Sequence, residues 1–301
     1  MTPELAQSYR SCRALLAEHG RTYHLASRLL PPATRPAVWA LYGFARYVDD
    51  LADVDISQTP HPAVLDGLQE ELIAGIEAGY SNHPLLAATV DTVLRYELDP
   101  QWLCDFLDAM RMDLSPREFA NWSELHEYTW GSAAVIGLQM ARVIGVSDED
   151  WDRAAPSAAA LGEAFQITNF CRDYDEDLSR GRIYLPTELF TRIGADPGTR
   201  ERTAVRSVVA DAADYARTLY AKAEPGIALL NPDGQPCIRA AFVLYKGILD
   251  KIEAADYAVL GTRHRVSELN RVRVAMPLLA RAILSRTRVR LGHSDTRSHR
   301  G

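Results

Sequence analysis

Apolar residues recur at intervals of three and four along almost the whole 301-residue chain, and strand-like alternation is scarce. This pattern predicts helices over 4–19, 22–30, 35–53, 62–78, 84–96, 100–112, 123–144, 157–178, 200–230, 235–255 and 266–285. The breakers agree with it. Gly20 follows the first helix, Pro31-Pro32 closes the second, and Pro62, Pro84 and Pro100 stand near helix starts, where a missing N–H is harmless. The 200–230 pattern breaks at Pro225-Gly226, and Pro232-Asp233-Gly234 reads as a turn. No repeat and no domain-dividing linker interrupts the series. The expectation is one all-α domain over 1–288 around a central cavity, with a disordered basic tail over 289–301.

Two segments break the apolar periodicity in the same way. In 166–186, QITNFCRDYDEDLSRGRIYLP, Gln166, Asn169, Asp173 and Asp177 fall at i, i+3, i+7 and i+11, on one helix face. In 42–53, Tyr42, Arg46, Asp49 and Asp53 fall at i, i+4, i+7 and i+11. Each pair of aspartates has an arginine on or beside its face, Arg46 or Arg172, in a helix otherwise rich in Ala, Leu, Ile and Phe. Asp148 and Asp152 have the same spacing without such company and read as a solvated helix start, favoured by the helix dipole. Carboxylates four apart on facing helices suit hard divalent cations that in turn hold phosphate oxygens. The plainer alternative is a pair of exposed acidic faces.

Charge and composition narrow the classes. The net charge of −7 argues against a general nucleic-acid binder. The start, MTPELAQSYRSC, carries no apolar signal region, and no run of 18 apolar residues predicts a membrane span. Cys12, Cys104, Cys171 and Cys237 are scattered without zinc spacing, which suits free thiols and a cytoplasmic location. No Gly-x-Gly-x-x-Gly turn supports a dinucleotide site, so no NADPH is expected. Arginines crowd the chain from Arg263 onward. A solvated helix face explains them, and a weak peripheral attraction to anionic lipid is the sharper alternative.

The two segments resemble the aspartate-rich motifs of the squalene/phytoene synthases, the head-to-head prenyl transferases, and most of all the bacterial phytoene synthases. The first motif is Tyr-x-x-x-Arg-x-x-Asp-x-x-x-Asp. The second is Gln-x-x-Asn-x-x-Arg-Asp-x-x-x-Asp followed by Arg-Gly-Arg-x-Tyr-Leu-Pro. The likeness runs from about Ser8 to about Arg288. It implies an isoprenoid-synthase-type helical bundle. It also implies Mg²⁺, with Mn²⁺ as a substitute, held by Asp49 and Asp53 and by Asp173 and Asp177, with Asn169 among the ligands. Tyr42 and Tyr128 would join those aspartates in catalysis. Arg46, Gln166, Asn169, Arg172, Tyr245, Arg263, Tyr23 and Val135 would contact prenyl diphosphate substrates. The implied reaction joins two geranylgeranyl diphosphates head to head through a cyclopropylcarbinyl diphosphate to give phytoene.

The segment 123–144 is expected to wall the cavity, with Tyr128, Ser132, Val135 and Gln139 on one stripe and Gly131, Ala133, Ala134 and Gly137 leaving room beside it. Taken alone, such small residues more often serve close helix packing. Thr129 departs from the family's Cys. Trp39, Trp130, Tyr174 and Asp175 add bulk that could shorten a tunnel. Such a tunnel would favour a shorter donor or an aromatic acceptor, which keeps a second prenyl transferase activity open. A non-catalytic metal-binding helical protein is the alternative from another class. Oligomeric state is not legible.

Overall fold

The computed structural model describes residues 1–53, 61–115 and 117–264, apart from the side chains of Arg21, Thr22, Asp53 and His61. The expected helix over 266–285 and the tail over 289–301 lie outside the described residues. Among the described residues twelve α-helices follow in order: α1 (Pro3–His19), α2 (Arg21–Ser27), α3 (Arg35–Asp53), α4 (His61–Ala78), α5 (Leu86–Arg95), α6 (Gln101–Met112), α7 (Trp122–Thr129), α8 (Val135–Ile144), α9 (Asp148–Ser179), α10 (Thr187–Arg192), α11 (Arg202–Ala223) and α12 (Gln235–Ala254). A π turn, Trp130–Ala134, joins α7 to α8, and a 3-10 turn, Glu224–Leu229, follows α11. There is no strand among the described residues, and no helix among them is long and apolar enough to cross a membrane.

The spine is α9. It packs against α8, α11, α12 and the two irregular turns. Its buried residues, among them Ala160, Ala164, Ile167, Phe170, Cys171 and Tyr174, therefore face several directions rather than one stripe. The helix starts where Asp148 and Asp152 suggested. Ser147 caps it by accepting from the Asp150 N–H, and three acids occupy its first turn. It is longer than the expected 157–178 because it runs through Pro156. Proline removes the hydrogen bond to the carbonyl of residue 152, but both Asp152 and Pro156 are exposed, so solvent can satisfy that carbonyl.

The expected helix over 123–144 is really two helices with a π turn between them. Glycine explains the close fit of this segment. A Cβ on Gly131 would lie 2.2 Å from the Asp105 carbonyl oxygen of α6. One on Gly137 would lie 2.1 Å from the Ala158 carbonyl oxygen of α9, and one on Gly162 would lie 2.2 Å from the Ala133 carbonyl oxygen. The small residues thus let three backbones meet, as the packing alternative held. Also unanticipated is α10, a short helix after the Leu185-Pro186 turn that buries Leu189 and Phe190.

Replacing Gly131 with Ala forces α6 and the π turn apart. Overpacking of this kind costs about 1–3 kcal/mol, and the urea midpoint should fall accordingly. An unchanged midpoint would mean the helices have room to spare.

Candidate active site

A cavity of about 290 Å³ lies between α3 and α9. Its walls are almost wholly apolar: Val38 and Leu41 from α3, Ile136 and Met140 from α8, Leu161 and Phe165 from α9. Its polar end is formed by Tyr42 of α3 and by Gln166 and Asn169 of α9, while Ala154 of α9 and Ile144 of α8 lie at the other end. From Asn169 back to Ala154 the helix rises roughly 22 Å, at 1.5 Å per residue. One turn beyond the polar end stand Arg46 on α3 and Asp173 on α9. The helical spacing in the two motifs thus places a row of charge beyond the mouth of an apolar chamber.

Arginines cover the carboxylates. Arg46 pairs with Asp49 at 3.1 Å and with Asp50, a residue the motif pattern passed over. Arg172 grips Asp173 with both Nε and a terminal nitrogen, the former at 2.8 Å. Burial would lower the pKa of Arg172, but the carboxylate it grips outweighs that and raises it. Arg263 reaches Asp173 from the segment after α12, with Nε 2.7 Å from Oδ1, and spans to Glu176 at 2.7 Å. Arg263 is thus brought onto the second motif, although it lies 90 residues away in sequence. Asp177 is less well compensated. Burial, and then the charge of Asp173, push its carboxyl up to about 7, against the opposing pull of Arg182.

Two buried polar atoms at this end have no hydrogen-bond partner among the described residues: Oδ1 of Asn169, an acceptor, and Nε of Arg46, a donor. The Asn169 amide donates to Gln166 Oε1 at 3.4 Å, which leaves its oxygen free. Among the described residues no three acidic, His or Cys side chains gather into a metal-binding cluster. The side chain of Asp53 lies outside the described residues.

The tyrosines divide into two groups. Tyr23 lines the cavity, with its ring 5.3 Å from that of Tyr245 and 6.2 Å from that of Tyr42. Tyr245 stacks on Phe165 at 4.2 Å and lies close to Arg172. Burial raises the pKa of all three phenols, with Tyr42 pushed up to about 12, so they stay neutral near pH 7. Tyr128 is elsewhere. It is fully buried and donates to Asp113 Oδ2 at 2.7 Å, within a group of Phe119, Phe170 and Tyr184. Neither Tyr128 nor Val135 lines this cavity, and this corrects the expected stripe. The π turn inserts an extra residue per turn. The wall therefore continues as Ser132, Ile136 and Met140 rather than as Ser132, Val135 and Gln139.

The bulky departures do not line it either. Trp130 is 38 % exposed and donates to Asp105 at 2.9 Å. Trp39 lies under Arg13, outside the main core, and Tyr174 donates to the Thr199 carbonyl at 2.9 Å. Asp175 pairs with Arg200. Sequence reasoning also missed Glu176 and Asp113. Glu176 sat in plain view inside the second motif, whereas nothing near Asp113 in the sequence pointed to it.

With its carboxyl raised to about 7, Asp177 binds a proton in the folded protein between about pH 4 and 7 that the unfolded chain has released. The contribution of Asp177 to the stability of the metal-free protein therefore falls as pH rises through that window. The Asp177→Asn variant should flatten the slope, read as urea midpoints at pH 5 and pH 8 without divalent ions; an unaltered slope would remove Asp177 as its source.

Comparisons with known proteins place most of the chain among related sequences and structures. A squalene/phytoene synthase family model matches residues 16–272. The chain is 36% identical over 276 residues to the phytoene synthase of Arthrospira platensis, covering 86% of this chain and 88% of that one. It is also 36% identical over 271 residues to the 15-cis-phytoene synthase of Synechocystis, covering 85% of this chain and 80% of that one. Among solved structures, a dehydrosqualene synthase superposes with a TM-score of 0.81 at 25% identity, over 92% of this chain and 97% of that one. The squalene synthase of Alicyclobacillus acidocaldarius gives 0.75 at 27% identity, over 85% of this chain and 97% of that one.

Proposed function

The chain belongs to the squalene/phytoene synthase family, and we propose that it condenses two molecules of geranylgeranyl diphosphate head to head to form phytoene. The observation that carries this reading is the division of the site. A long apolar cavity ends at a polar mouth where one orphaned acceptor, Asn169 Oδ1, and one orphaned donor, Arg46 Nε, lie beside paired arginines and aspartates. A prenyl diphosphate has the same division, an apolar chain with an anionic head. The relatives named as phytoene synthases support the C20 substrate and the product.

A divalent cation, Mg²⁺ by its preference for oxygen ligands, fits the donor set. Asp49, Asp53, Asp173, Asp177 and Asn169 would hold it, since the free Asn169 oxygen and the under-compensated Asp177 both call for positive charge. When bound, the cation neutralises charge on the departing diphosphate. Arg46, Arg172 and Arg263, which cover Asp49, Asp50, Asp173 and Glu176, would supply charge-assisted hydrogen bonds to phosphate oxygens.

Ionisation of the first diphosphate leaves an allylic cation; the double bond of the second prenyl chain attacks it, and loss of a proton from that second chain closes the cyclopropylcarbinyl diphosphate. A second ionisation, rearrangement and loss of a proton give the hydrocarbon. Through both steps the apolar walls would keep water out, and the rings of Tyr23 and Phe165, which line the cavity, would stabilise the cation. Their neutral phenols and phenyl rings offer no anionic nucleophile to trap it. The reading with a shorter donor or aromatic acceptor loses its support, because Trp39, Trp130 and Tyr174 do not shape this cavity. Metal binding without catalysis leaves the cavity unexplained.

Purified protein with Mg²⁺ and geranylgeranyl diphosphate alone should yield a C40 hydrocarbon by mass analysis of the organic extract. Turnover seen only with a shorter prenyl diphosphate and an added aromatic acceptor would overturn the assignment. The Asp173→Asn variant should release diphosphate about a thousandfold more slowly, a barrier increase of roughly 4 kcal/mol, with its thermal midpoint measured in parallel to separate folding from chemistry.

A further inference from the structure

Asp113 ends α6 far in sequence from both motifs, yet its carboxylate joins two elements of the site. Oδ2 accepts from the Tyr128 hydroxyl of α7 at 2.7 Å, and Oδ1 accepts from the Tyr184 hydroxyl at 3.1 Å. Tyr184 belongs to the segment 180–186 that follows the second motif. Its ring stacks on Phe170 of α9 at 4.3 Å with an interplanar angle of 11°, and on Tyr128 at 5.6 Å. Burial, and then Asp113, raise the pKa of both phenols, which therefore remain donors to that carboxylate.

The tether has a consequence two residues away. The chain reverses at Gly181, where φ is +75°, and the Arg182 N–H returns to the Asp177 carbonyl at 2.9 Å. Arg182 is the cation that most opposes the rise of the Asp177 carboxyl, ahead of Arg180. The position of Arg182 over the end of the second motif is thus fixed on one side by the α9 C-terminus and on the other by Tyr184.

We propose that Asp113 is a positioning residue of the diphosphate site: through Tyr184, braced by Tyr128, it holds Arg182 beside Asp177, where a departing diphosphate needs a cation. Tyr128 then serves as part of this brace rather than as a wall of the apolar cavity. The proposal rests on the prenyl diphosphate reading above and adds a residue that neither motif contains. Packing alone would need no carboxylate here. Both oxygens of the half-buried carboxylate are instead taken by hydroxyls from two separate elements, which fixes their geometry.

The test uses the full chain with Asp113→Asn, Tyr184→Phe, Arg182→Gln and the double variant Asp113→Asn with Arg182→Gln. One readout is steady-state turnover of geranylgeranyl diphosphate. The other is calorimetric titration of inorganic diphosphate with Mg²⁺, which assumes nothing about the prenyl chain. The expected result for Asp113→Asn is an unchanged circular dichroism spectrum, about a tenfold lower kcat with little change in KM, and weaker diphosphate binding. Tyr184→Phe should shift both in the same direction. The double variant should be no worse than the more severe single one, because Asp113 acts through Arg182. Wild-type kcat and diphosphate affinity in Asp113→Asn, or losses that multiply in the double variant, would overturn the proposal. Should Asp113→Asn fail to fold, Tyr184→Phe decides, since it removes one hydroxyl; unchanged diphosphate affinity there also overturns it. If the wild-type chain leaves geranylgeranyl diphosphate untouched, the proposed activity fails, while the inorganic diphosphate titration still decides the role of Asp113.

Discussion

A row of carboxylates on a largely buried helix can remain charged only beside cations, and much of this protein is arranged to supply them. Asp173 is 12 % exposed at its side chain and carries two arginines, one adjacent to it on α9 and one from beyond α12. Removing water from a carboxylate costs several kcal/mol, which close ion pairs recover only with good hydrogen-bond geometry. Arg172 meets that condition by gripping both oxygens. Asp177 does not have such a partner, and its raised pKa records the deficit.

The apolar half of the site depends on a different constraint, the closeness of α9 to the segment Trp130–Ile144. Backbone meets backbone at Gly137 and Gly162 with no room for a methyl group. That contact sets the far wall, and the π turn sets which side chains the wall displays. The same small residues thus have two tasks. Gly137 and Gly162 both bring helices together and border the cavity, because a residue without a side chain leaves space on one side while permitting contact on the other. The cavity and the packing are one solution.

Polar and apolar halves meet at Tyr23, Tyr42, Phe165 and Tyr245. These rings come from α2, α3, α9 and α12, so the mouth is held by four helices well separated along the chain. A second aromatic group gathers around Asp113, which accepts from Tyr128 of α7 and from Tyr184 in the segment after α9.

Sequence by itself determined the helical class, most helix limits, and the two polar faces, because those follow from short-range periodicity and from breakers such as Gly20 and Pro31-Pro32. The helical spacing of Gln166, Asn169 and Asp173 needed no tertiary information to place them on one face. Only the tertiary structure decided where Tyr128 and Val135 go, since a single extra residue in the π turn rotates everything after it and leaves no trace in the periodicity. It also decided that Trp130 faces outward, that Arg263 reaches Asp173, and that Asp113 binds two tyrosines. Each of these depends on which distant surfaces come together, and local pattern carries no record of a partner 71 or 90 residues away.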